Sequence, residues 1–156
     1  MPLAVGVASP WLVVAPDIVV APDARVIAAR IGDTVFCSVA RGASGFELQD
    51  AARVWGVRAA LPFPIDGSAA GGAVACGGGA CRLRFGGHIA VLLMDPAADC
   101  AGAALAVAAA PLRGRCGPAA EVDRFSVLRD GATAVYFALG RAVVVTDRSL
   151  RGHASG

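Results

Sequence analysis

Cysteine is the residue type whose number and spacing in this chain best suit chemistry. Five occur in 156 residues, at Cys37, Cys76, Cys81, Cys100 and Cys116. Cys76 and Cys81 bracket Gly-Gly-Gly-Ala, Cys100 and Cys116 bracket fifteen residues ending in Leu-Arg-Gly-Arg, and Cys37 stands alone in an apolar run. Three chemistries suit that pattern. A structural zinc site needs two close ligand pairs, and only Cys76 with Cys81 is close enough. Buried, unreactive thiols would act as small hydrophobes. The third reading is two disulfides in an oxidising compartment, Cys76 with Cys81 and Cys100 with Cys116, with Cys37 left as a buried thiol. By loop-closure entropy these bonds would contribute about 2 and about 3 kcal/mol.

Histidine is scarce, with His88 and His153 the two in the chain. Metal enzymes that rely on several imidazoles are thereby excluded by count. A cysteine nucleophile needs an adjacent base, and the pairing of His88 with Cys81 depends entirely on the fold. The glycines after Cys76 come without the Lys and Ser/Thr of a phosphate-binding P-loop, so they predict a loop. Asp123, Asp130 and Asp147 fall at turn or cap positions, which leaves no carboxylate pair for acid–base work.

Arginine supplies the remaining candidates. All fourteen basic residues are Arg, and against twelve acids the net charge is +2, too small for a polycationic nucleic-acid binder. Arg113, Arg115, Arg124 and Arg129 nevertheless fall within seventeen residues, and Arg82 and Arg84 alternate onto one face of a strand. Guanidinium groups suit phosphate, so these six are candidate DNA contacts, set against the alternative of a solvated, ion-paired surface. Single-strand binding also uses exposed rings, and Phe85, Phe125 and Tyr136 are expected in the core.

The elements that must carry these residues follow from composition and pattern. With 56% hydrophobic, 17% charged and 6% aromatic residues and a mean hydropathy of +0.64, the chain is neither disordered nor a charged coiled coil. It fits one domain over residues 17–150. Residues 1–16 form an uncharged apolar lead broken by Gly6 and Pro10, shorter than the roughly 20 residues of a spanning helix and without a basic start. The end of a membrane helix, an interfacial anchor and a buried strand all fit it, in that order of preference.

Short β-branched runs then predict a meander of two or three strands over 17–40, and a capping box at Ser44 and Glu47 predicts a helix over about 45–55. Residues 59–80 hold too many Gly and Pro for a continuous element and predict a long connection. A hairpin follows over 81–94, then a short helical turn near 96–101 and a small-residue strand over 105–111, LAVAAAP. A helix capped by Asp123 and ended by Gly131 comes next, with a hairpin over 132–147 and a frayed tail over 151–156. The sum is a strand-rich α/β domain with a mixed sheet and two or three helices.

The ordered segments PDIVVAPDARVIAAR, SGFELQDAARVWG, CGGGAC, DPAADC, PLRGRC and DRFSVLRDGATAVYF resemble the region after the last membrane helix of alphaproteobacterial ComEC competence proteins. The likeness covers roughly residues 10–150. That family is similar to the inner-membrane channel that takes up single-stranded DNA in natural transformation. The resemblance implies a position at the inner membrane on its periplasmic face, with the rest of the channel, single-stranded DNA and, through residues 1–16, the membrane itself as partners. It also supplies an oxidising compartment for the cysteines. In other bacteria the corresponding region resembles a metallo-β-lactamase domain. Residues 81–96 look like that domain's hairpin, whose terminal Asp bridges two metals, which makes Asp95 a vestigial metal candidate. PLRGRC stands where a later histidine segment would be. The His-x-His-x-Asp-His cluster of such enzymes is missing. The resemblance therefore implies a reduced, non-catalytic member of the fold with no cofactor. A metal-dependent nuclease and a protein-docking module are the alternatives.

Overall fold

A computed structural model describes residues 14–39, 53, 55–56, 60–137 and 141–154. The helix expected near 45–55 lies almost wholly outside these residues. Two six-stranded mixed sheets make up the molecule. The first contains β1 (Ile18–Val20), β2 (Val26–Ile31), β3 (Thr34–Val39), β4 (Leu61–Pro62), β11 (Thr133–Tyr136) and β12 (Val143–Thr146), in the order β12-β11-β1-β2-β3-β4. The second contains β5 (Gly67–Ala69), β6 (Val74–Gly77), β7 (Ala80–Phe85), β8 (His88–Leu93), β9 (Leu105–Ala108) and β10 (Ala120–Val122), in the order β10-β9-β8-β7-β6-β5.

Period-two patterning decides which side chains face inward. In β7, Cys81 and Leu83 are buried while Arg82 and Arg84 point the other way. The main core lies between the sheets, where Ile18, Val20, Ile27, Phe36 and Val135 of the first meet Leu83, Leu92, Leu105, Val107 and Val122 of the second. β8 and β9 run parallel, and their apolar runs are buried on both faces. The outer face of the second sheet therefore carries its own core, Val91, Leu93, Ala106 and Ala108, covered by Ala98, Cys100, Leu112, Cys116 and Ala119 from the flanking loops.

Two α-helices are bounded within the described residues, besides a single 3-10 turn over Ala70–Gly72. α1 (Arg124–Asp130) begins where the Asp123 carboxylate accepts the Ser126 N–H at 2.9 Å and the Ser126 hydroxyl accepts the Asp123 N–H, and it ends at Gly131. α2 (Asp147–Ala154) runs through residues whose sequence suggested fraying. Its start is fixed by the same reciprocal arrangement, with the Thr146 hydroxyl taking the Ser149 N–H and the Ser149 hydroxyl taking the Thr146 N–H.

Two further expectations need correction. The Gly-rich segment 59–80 holds three strands, because neighbouring strands supply hydrogen bonds that composition cannot reveal and the glycines fall mostly in the turns. The short helical turn expected near 96–101 is present as turns, held by the Ala98 N–H on the Asp95 carbonyl and by the Asp95 and Asp99 carboxylates. Phe125 is not in the core but 60% exposed, since α1 is a short helix that buries Val127 alone. Phe85 and Tyr136 are half-buried.

Candidate functional site

The cysteines resolve into two disulfides, with Cys37 a buried thiol. Cys76 and Cys81 face each other directly across β6 and β7, so the antiparallel register itself brings them together. Cys100 and Cys116 belong to separate loops over the outer face of the second sheet, and their bond ties the two loops into one cover.

The six arginines of the sequence differ in what they touch. Arg82 and Arg115 both serve the outer cover, donating to the Ala101 carbonyl at 2.9 Å and the Ala98 carbonyl at 2.7 Å. Arg129 lies 2.8 Å from Asp130, which also has Arg148 at 3.5 Å. The Arg129 hydrogen bond holds the Asp130 carboxyl below the usual carboxylate range. Arg113 and Arg124 are exposed, and the residues before them are joined where the Leu112 N–H donates to the Asp123 carboxylate at 2.8 Å. The segment between them is shaped by Glu121, whose two oxygens take the Gly114 and Cys116 N–H groups at 2.8 and 2.9 Å.

Asp95 closes β8 as a turn residue. Its carboxylate accepts the Ala97 N–H at 2.9 Å, and its backbone sits against Gly79, whose carbonyl accepts both the Met94 and Asp95 N–H groups. A Cβ on Gly79 would lie 2.7 Å from the Asp95 Cβ, so this approach requires glycine there. The hollow at this end of the sandwich is small, about 170 Å³, and is lined by Ala24, Arg25, Ile27, Ser38, Leu92, Leu93, Met94 and Ala109. That lining offers no imidazole and no carboxylate, so it does not fit a dinuclear metal site. Among the described residues no three His, Cys, Asp or Glu side chains gather anywhere.

The opposite end of the sandwich holds an open cleft of about 440 Å³. Two hairpin turns form its rim, Gly32-Asp33 between β2 and β3 and Gly86-Gly87 between β7 and β8, each opening on a glycine with φ near +60°. Arg30 of β2 and Arg84 of β7 flank it from different sheets. Arg30 donates through Nε to the Gly32 carbonyl at 3.2 Å, and neither guanidinium has a carboxylate within ion-pairing distance among the described residues. Ile31, Phe85 and Phe137 supply the apolar part of the lining. Phe137 stacks with Phe85, ring centroids 4.8 Å apart, and with His88, 6.0 Å away. Asp17 also lines the cleft, with one carboxylate oxygen engaged by the Phe137 N–H at 2.8 Å.

Sequence reasoning found Arg84 but not Arg30, which has no basic residue beside it in the chain to mark it. His88 serves the ring stack and Cys81 the disulfide, so they do not form a nucleophile–base pair. His153 lies in α2. No described helix is long and apolar enough to cross a membrane. Compared with protein families, with curated proteins and with solved structures, the chain finds no match in any of the three.

Proposed function

We propose that the chain is a non-catalytic domain of a ComEC-like channel for single-stranded DNA uptake, placed on the periplasmic face of the inner membrane. Its fold, in this reading, is a reduced metallo-β-lactamase-like sandwich whose strand ends have lost their metal ligands. The observation that carries the reading is the loop cover tied by Cys100–Cys116 beside the cross-strand Cys76–Cys81 bond. Two structural disulfides in one small domain suit an oxidising compartment. The ordered motifs that resemble the family include all four of these cysteines. The engagement of Asp95 in its turn supports a structural or DNA-guiding role over hydrolysis. Docking on the rest of the channel is favoured by the exposed side chains of Phe125, Leu128 and Leu150 on the two helices.

The test is a pair of measurements on the full chain. Fusion to alkaline phosphatase, which is active only where disulfides form, is expected to give active enzyme in cells. Elemental analysis beside a single-stranded DNA cleavage assay with added manganese or zinc is expected to give neither stoichiometric metal nor metal-dependent cleavage. An inactive fusion, or metal with cleavage, overturns the proposal.

A further inference from the structure

We infer, independently of the DNA-uptake reading, that β12 is a self-pairing edge through which two copies of the chain join, Val144 against the partner's Val144, into one continuous sheet.

β12 ends the first sheet, with β11 on one side and no strand on the other among the described residues. Its sequence, Val-Val-Val-Thr, carries neither the Pro nor the charge that blunts an open edge. The other edge strands are shorter, β4 with two residues, one of them Pro62, and β5 and β10 with three each. Backbone alternation fixes which groups of β12 face outward. In β11 the Val135 carbonyl takes the Asp17 N–H, and the Phe137 N–H just beyond it reaches the Asp17 carboxylate, so the odd-numbered residues turn toward β1. The even-numbered ones turn toward β12, as the Ala132 carbonyl does in taking the Asp147 N–H at 3.1 Å. Because Val135 pairs with Val144 and Ala134 with Val145, the Val144 N–H and carbonyl point away from the sheet. Thr146 points the same way, and its N–H and carbonyl are both held by the Ser149 hydroxyl. No such cap lies on Val144 among the described residues, and Val144 is 39% exposed.

A second copy is the partner that this edge selects. Antiparallel pairing about a two-fold axis at Val144 joins the outward N–H and carbonyl groups by a reciprocal pair of hydrogen bonds and lays Val143 beside the partner's Val145. The same register sets Arg141, exposed just before the strand, opposite the partner's Asp147 just after it, and the axis repeats that ion pair. Asp147 has one oxygen on the Ala132 N–H at 3.3 Å, which leaves the other for the guanidinium. Moving the axis to Val143 or Val145 sets Arg141 opposite a valine or a serine instead. An unrelated extended peptide would gain the hydrogen bonds without the repeated ion pair. With Thr146 already engaged by Ser149 the ladder between copies stops at Val144, so the contact is weak and depends on concentration.

The experiment is analytical ultracentrifugation of the full chain from about 5 to about 500 µM, beside thermal melting of each variant. Wild type is expected to pass from monomer to dimer within that range. Val144→Pro removes only an outward N–H, so it is expected to weaken the dimer about tenfold or more while the chain melts close to wild type. Val144→Lys leaves the backbone intact and is expected to do the same through like charges facing across the axis. Arg141→Asp is expected to weaken the dimer severalfold and to remove its weakening by salt. Val144→Cys is expected to give a covalent dimer on oxidation with copper phenanthroline, since paired Cα atoms about 5.5 Å apart suit a disulfide. Wild type, whose Cys37 thiol is buried, is expected to give none. A chain that stays monomeric to the top of the range overturns the inference. A dimer that persists in Val144→Pro and Val144→Lys, with no covalent dimer from Val144→Cys, overturns it too and places the contact elsewhere.

Discussion

The second sheet meets the first with Leu83, Leu92, Leu105, Val107 and Val122, while its other face offers Val91, Leu93, Ala106 and Ala108 to two loops. A buried Leu contributes roughly 1.5–3 kcal/mol by transfer out of water, and an Ala much less. The inner face is therefore held mainly by apolar area. The outer cover buries too little to offset the ordering of its loops on that basis alone. It is fastened instead by the Cys100–Cys116 bond, by Arg82 and Arg115 on the carbonyls of residues 101 and 98, and by Glu121 and Asp123 on the N–H groups of residues 112, 114 and 116. The difference teaches that a core rich in alanine hands its specificity to polar and covalent fasteners, so the two faces should fail under different insults.

The largest effect is expected from Leu105→Ala, which opens a cavity at a fully buried inner position and should lower unfolding free energy in urea by about 2–5 kcal/mol. Next comes Cys100→Ser with Cys116→Ser, expected to cost about 3 kcal/mol and to raise amide exchange across 97–117 before that of β7 and β8. Uniform exchange over both faces would erase the distinction between them. Glu121→Gln keeps one acceptor oxygen where two N–H groups need them, for a loss of about 1–2 kcal/mol measured by thermal melting. Arg82→Met should cost under about 1 kcal/mol, because its hydrogen bond is exposed.

The smallest effect concerns pH and lies away from both faces, which makes it the control. Arg129 favours the ionised form of Asp130 in the folded state, so this pair's stabilisation is present above the ordinary carboxylate range. It is lost as pH falls through the lowered value. Carboxyl titration by NMR should show Asp130 moving back toward the usual range in Arg129→Ala, with no change in the exchange of either face.

What the sequence made legible is what local chemistry determines. The meander of β1 to β3, the hairpin of β7 and β8 and the Asp123 and Gly131 caps of α1 follow from turn residues and alternation within a few positions. The strands within 61–77 were hidden because their glycines are tolerated only with partner strands already in place. α2 was hidden because its cap uses Ser149 where the familiar pattern has Glu or Gln. The candidate site was the least legible part. Arg82 and Arg115 look available in sequence but are taken by carbonyls 19 and 17 residues away, while Arg30 has no local cluster to mark it.

β1 occupies the middle of the first sheet, between β2 from the start of the chain and β11 from near its end. The Asp17 carboxylate reaches the Phe137 N–H across 120 residues. Closing a loop of that length carries about 4 kcal/mol of length-dependent entropy. A chain delivered from its N-terminus can thus form the whole second sheet while Ile18–Val20 still waits for its partner. Synthesis or cleavage that stops at Asp130 would leave β1 as a hydrophobic edge open to pairing with other chains, so the last two dozen residues act as the molecule's own guard against aggregation.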